Sequence, residues 1–200
     1  MPCNLNQLQI IILSERKLMS KRAEAVIVID MLNDFVTGKL RCERADHIIP
    51  HLQKLLAGAR KLGVHVIYSS DAHLKEDYEL RVWGEHAMKG TKGAEVIPEL
   101  RPEPTDYVFE KRTYSAFFET GLDQLLRSLG VTKLYITGLH TNICDRHTSA
   151  GAFFRGYELV ILQDGVEAFD EKSQTEGLDY LKANYKAEIK TVEEVIGSWQ

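Results

Sequence analysis

Nothing in this chain approaches the ~20 consecutive apolar residues that carry a helix across a bilayer. The short run Gln9-Ile10-Ile11-Ile12-Leu13 is too brief and wrongly flanked for a secretory signal. Cysteine is scarce as well: Cys3, Cys42 and Cys144 make an odd three in 200 residues, so no disulfide framework is expected. Lysine and arginine form no cluster, and a net charge of −4 argues against nucleic acid as a partner, since phosphate binding needs a concentrated basic face. Internal repeats and low-complexity tracts are missing too. These absences leave a soluble chain expected in the reducing cytoplasm, with a small molecule rather than a membrane or nucleic acid as its partner.

What is present is an ordinary globular composition, 44% hydrophobic and 27% charged, enough for one domain with a substantial core. Residues 1–22 read as an appended, loosely packed extension, because the first strong strand begins only at Glu24 and Met19 could itself be a start. Residues 23–200 then form the single domain.

Within it, strand and helix patterns alternate. AEAVIVID (23–30) is a continuous β-branched run ending in an acid, as in a strand buried on both faces of a parallel sheet. Apolar residues Ile48, Ile49, Leu52, Leu55, Leu56 and Ala59 then recur at helical spacing over about 46–62, and Gly63 supplies the stop. A second strand follows in VHVIYSSDAH (64–73). Residues 74–104 lose periodicity and read as a long irregular segment, a length that is usually functional. Strands at 106–111, 131–138, 157–164 and 187–192 then alternate with helices at 121–130, 142–155 and 171–184. The pattern predicts an α/β fold: a three-layer α/β/α sandwich around a mostly parallel sheet of about six strands.

In such sheets the ligand crevice lies at the carboxyl ends of the strands. Asp30, Asp71, Lys111 and Cys144 all fall at or just beyond such an end. An isolated cysteine is most often a buried structural residue, an isolated aspartate a cap and an isolated lysine a solvated strand end. Brought together, they give a thiol its base and its cation. A thiol on the first turn of a helix, beside a cation, is expected to drop from a pKa near ~8.5 toward ~3.5–7.5.

Asp71 and His73 stand two apart on an extended segment and so share a side, and His86 could add a third ligand. Asp, His and His suit zinc, manganese or iron(II) and leave positions open for water and substrate. Aromatics are more often core than substrate contacts, but Phe35 and Trp83 lie in loops rather than periodic segments, which makes the binding reading as good as the core one. His47, His51 and His65 read as structural or surface residues, while His140 and His147 lie close to Cys144 in sequence.

Three ordered motifs, VIVIDMLNDF (26–35), KRTYSAF (111–117) and GLHTNICDRHT (138–148), together resemble the isochorismatase-like cysteine hydrolases. SSDAH (69–73) and WGEHAMKGTKGAE (83–95) are similar to the metal and pocket segments of the nicotinamidases within that group. The likeness covers about residues 25–195. It implies the isochorismatase-like hydrolase fold, with Asp30, Lys111 and Cys144 as catalytic residues and Asp71, His73 and His86 as ligands to one divalent metal, zinc ahead of manganese or iron. It further implies Phe35 and Trp83 on the substrate ring, a cis peptide at Leu139-His140, and an oxyanion hole from the backbone N–H groups of His140 and Cys144. Two departures stand out: Ala72 replaces the family's tryptophan, and Gly84 and Glu85 replace its prolines.

The implied activity is hydrolysis of nicotinamide to nicotinate and ammonia through a thioester, in NAD salvage, by a homodimer or homotetramer. The alternatives are an amidohydrolase for a ureido or N-carbamoyl compound and, from another class, a non-catalytic ligand-binding member of the fold.

Overall fold

The computed structural model describes residues 22–200, so the expected extension, apart from Arg22, lies outside the described residues together with Cys3. Six strands make one sheet: β1 (Glu24–Ile29), β2 (His65–Asp71), β3 (Tyr107–Lys111), β4 (Lys133–Leu139), β5 (Glu158–Glu167) and β6 (Glu188–Lys190). Their order is β3-β2-β1-β4-β5-β6 and every neighbouring pair is parallel, so the predicted three-layer α/β sheet is present. Five longer helices cover it: α1 (Ile49–Leu62), α2 (Leu122–Ser128), α3 (Cys144–Phe154), α4 (Glu171–Tyr185) and α5 (Val192–Ser198).

Side chains along β1 alternate between two cores, which is why the strand reads as unbroken apolar sequence. Val26 and Val28 pack with Leu52, Leu55 and Leu56 of α1 and Val195 of α5. Ala25, Ile27 and Ile29 pack on the other face with Leu122 and Leu126 of α2, Ala152 of α3 and Leu181 of α4. The sheet order reverses between β1 and β4, a topological switch point that opens a crevice at their carboxyl ends.

Boundaries shift where local chemistry competes with periodicity. The helix expected from residue 46 begins at Ile49, with Pro50 in its first turn and a separate 3₁₀ turn at Ala45–His47 before it. The helix expected from residue 142 begins at Cys144, because Ile143 takes non-helical angles (φ −122°, ψ −95°) in the turn before it. Thr191, read as the end of the last strand, instead opens α5 through a capping box with Glu194. The irregular segment carries the short helical turns Leu80–Trp83, Lys92–Ala94 and Pro98–Leu100. No helix among the described residues is long and apolar enough to cross a membrane.

Gly138 lets β4 lie against β1 at the switch point. Its φ is +113°, and a Cβ there would sit 1.9 Å from the Ile29 carbonyl oxygen. Gly138→Ala is therefore expected to lose roughly 3 kcal/mol or more of stability. Chemical denaturation measures this, and a midpoint equal to that of the unsubstituted protein contradicts it.

Candidate active site

Four strand ends deliver four reactive side chains to the crevice. Asp30 follows β1, Asp71 closes β2, Lys111 closes β3, and Cys144 starts α3 after β4, and all four are buried. The Lys111 ammonium lies 2.7 Å from Asp30 Oδ2 and 2.5 Å from Asp71 Oδ1, and 3.8 Å from Cys144 Sγ. Asp30 takes a left-handed φ of +51°, and its Oδ1 accepts the Asp71 backbone N–H at 2.8 Å. The predicted catalytic trio is thus assembled, with one cation serving two carboxylates and a thiol.

That charge count corrects the expected thiol. Burial pushes the Cys144 thiol well above its usual range; Lys111 opposes this, but Asp30 and Asp71 reinforce it. Lys111 thus does not offset the burial and the two carboxylates around the sulfur. Burial, with Asp71 adding to it, likewise raises Asp30 to about 6 against the pull of Lys111. Burial alone would lower Lys111, but Asp30 and Asp71 outweigh it and hold the ammonium charged.

Beside this trio, Asp71, His73, Glu79 and His86 place one ligand atom each within 4.8 Å of one another. His73 Nε2 lies 3.6 Å from Asp71 Oδ2 and 3.8 Å from Glu79 Oε1, and His86 Nε2 lies 4.0 Å from Glu79 Oε1. His86 Nδ1 donates to the Gly84 carbonyl at 2.8 Å and His73 Nδ1 to Asp77 Oδ2 at 3.1 Å. Both partners only accept, so each Nε2 is left with its lone pair facing the cluster. Asp71 Oδ2, His73 Nε2 and Glu79 Oε2 are buried without a hydrogen-bond partner, an arrangement costing ~1–3 kcal/mol per atom. Burial together with Asp71 raises Glu79 to about 7, against Lys111 and His73. Two imidazoles and two carboxylates with unsatisfied atoms converging on one point fit a divalent cation.

Sequence reasoning missed Glu79. It sits in the irregular segment with no periodic or motif signal, and only the fold carries it to His73. The departure at Gly84 has a local reason, since its φ of +73° is open to glycine, and its carbonyl orients His86.

Over the thiol lies a narrow slot walled by Phe35, Trp83, Tyr114, His140, Ile143 and Phe169, with Asp71, Glu79 and His86 on one side. Phe35 stands edge-on to His86 and to His140, at 5.5 and 5.6 Å between centroids. Phe169 stacks on His140 at 3.9 Å, and Trp83 Nε1 donates to Tyr114 Oη at 3.0 Å. Burial lowers His140 to about 3, so its ring is a neutral aromatic wall. Phe35 and Trp83 thus reach the slot as expected, whereas Tyr114 and Phe169 were not anticipated. Tyr114 lies inside KRTYSAF, where position in the motif could have found it; Phe169 follows β5 with no comparable signal. The peptide between Leu139 and His140 is cis. His47 and His51 stand beside Glu167 and Asp164 on the surface, and His65 is buried at the start of β2.

Comparison with known proteins shows which family and fold this chain shares. The family profile described as the isochorismatase domain matches residues 24–194. N-carbamoylsarcosine amidase from Thermoplasma acidophilum is 38% identical, with a TM-score of 0.80 over 85% of this chain and 96% of that one. Nicotinamidase PncA from Bacillus subtilis is 31% identical, with a TM-score of 0.80 over 84% and 99%. The pyrazinamidase of Pyrococcus horikoshii, solved in complex with zinc, is 28% identical, with a TM-score of 0.80 over 85% and 99%.

Proposed function

The chain belongs to the isochorismatase domain family, and from that premise we propose that it is a metal-dependent cysteine amidohydrolase converting nicotinamide to nicotinate and ammonia. One observation carries this reading: the slot over Cys144 has aromatic walls and a metal-donor set on one side, and no arginine or lysine among the described residues lines it. A neutral ring amide suits such walls. A substrate bearing a carboxylate would meet no arginine or lysine on those walls, so only the metal-donor side could receive its charge.

Asp30 Oδ accepts the thiol proton as Sγ bonds to the carboxamide carbon. Because the resting thiol is neutral, transfer accompanies attack rather than preceding it. Lys111, 3.8 Å from Sγ, balances the charge that sulfur acquires in a site closed to water. The N–H groups of His140 and Cys144 hold the oxyanion. As the carbon–nitrogen bond breaks, Asp30 returns its proton to the departing ammonia. Asp30 then takes a proton from water as the water oxygen bonds to the thioester carbon, and returns it to Sγ as the carbon–sulfur bond breaks and the acid is released. Asp71, His73, His86 and Glu79 would hold the divalent ion, zinc first, which when bound supplies a Lewis-acid ligand for the ring nitrogen. Phe35, Trp83 and Phe169 fix the plane of the ring so that the amide carbon faces sulfur.

A second reading has its own support. The 38% identity to N-carbamoylsarcosine amidase favours an N-carbamoyl substrate handled by the same trio. Ammonia release separates the two. Nicotinamide and pyrazinamide are expected to exceed N-carbamoylsarcosine and ureidoacrylate by about 10²-fold in kcat/KM, and a chelator is expected to abolish most of that turnover. Preferential, chelator-insensitive turnover of the N-carbamoyl acids would replace the first reading with the second.

A further inference from the structure

We propose that Asp77, anchored by Arg112, is a positioning residue that orients His73 for the divalent ion. The inference rests on the metal-dependent reading above and assigns the ion a support on the far side of its ligand.

The support begins at the end of β3. Lys111 turns inward to Asp30, Asp71 and Cys144. Its neighbour Arg112 turns the other way, as alternate residues on an extended strand do. Arg112 Nε donates to Asp77 Oδ1 at 2.9 Å, and its Nη2 pairs with the same oxygen. The second oxygen, Oδ2, accepts the Leu74 N–H at 2.9 Å and the His73 Nδ1–H at 3.1 Å. One carboxylate thereby binds the strand end carrying the catalytic cation to a ring facing the metal-donor cluster.

Two consequences follow for His73. The bond fixes the tautomer with the proton on Nδ1, leaving the Nε2 lone pair toward Asp71 Oδ2 and Glu79 Oε1. A charged acceptor also makes Nε2 a stronger donor than a neutral acceptor would. His86 has only the Gly84 carbonyl behind it. The two imidazoles are therefore unequal, with His73 the firmer ligand and its strength set from outside the slot. Arg112 compensates the Asp77 charge, so Asp77 adds no uncompensated carboxylate beside the cluster. Its side chain is about half exposed, which makes it a substitution the fold should tolerate.

Zinc alone is the probe, added to the full-length metal-free protein in competition with a chromophoric chelator. Asp77→Ala is expected to weaken zinc binding by about 10–100-fold. Asp77→Asn and Arg112→Ala, which keep the acceptor oxygen or the carboxylate, are expected to fall between it and the unsubstituted protein. Saturating zinc should return ammonia release by Asp77→Ala to within a few fold, a recovery that a merely structural aspartate would not show. Zinc affinity within twofold of the unsubstituted protein in Asp77→Ala overturns the proposal. So does weakened binding whose turnover excess zinc fails to restore. If the unsubstituted protein binds zinc no better than His73→Ala does, the metal-dependent reading falls and this inference falls with it. A defect confined to the Asp77 variants leaves that reading standing.

Discussion

Cys144→Ala is expected to lower ammonia release by at least about 10⁴-fold, the loss typical of removing a covalent nucleophile, while changing stability by only about 1 kcal/mol. The two effects separate because the sulfur contributes little to the fold. It makes a long contact with Lys111 and a hydrogen bond with Asp30, and burial pushes its pKa well up. Cys42→Ala is the control: that thiol donates to the Ala168 carbonyl at 3.3 Å and does not line the slot, so turnover should persist. Steady-state rates of the two variants decide the matter. Retention of more than about 1% of turnover by Cys144→Ala would remove the thioester from the mechanism.

Lys111→Met is expected to damage fold and chemistry together. It leaves Asp30 and Asp71 buried side by side with no cation, and breaking a buried pair in this way costs about 3–5 kcal/mol. Turnover should fall by roughly 10³-fold or more, because negative charge developing on sulfur would meet only carboxylates. The two roles can be pulled apart by adding Asp71→Asn. Removing one stranded charge should recover part of the lost stability, read by chemical denaturation, without recovering turnover. A single variant as stable as the unsubstituted protein, or within tenfold of its rate, would show that Lys111 is a bystander.

The parts of the site that were legible in the sequence are those set by strand ends and local spacing. Asp30 and Cys144 could be placed because burial on both sheet faces makes β1 and β4 continuous apolar runs whose ends mark the crevice, whereas Lys111 was placed by its position at the end of the edge strand β3. Asp71 and His73 were visible because their separation of two puts them on one side of an extended segment. Glu79, Asp77 and Phe169 were not, since each belongs to an irregular segment whose path depends on what it packs against. Helix α5 was hidden for another reason. Its capping box, Thr191 with Glu194, was present but was read as strand, because the strand pattern before it ran into its first residues.

The sequence by itself determined the layering of the fold, the family and the residues proposed as the catalytic trio, because periodicity and ordered motifs are local properties that survive without coordinates. Only the tertiary structure decided the state of those groups. Whether a thiol at a helix start is ionised depends on the sum of burial, one cation and two carboxylates drawn from four separate strand ends. In this chain that sum leaves sulfur neutral. The fourth candidate metal donor, the proposed support behind His73 and the absence of arginine and lysine from the slot walls among the described residues are likewise outcomes of long-range placement, and they bear most directly on which amide can enter.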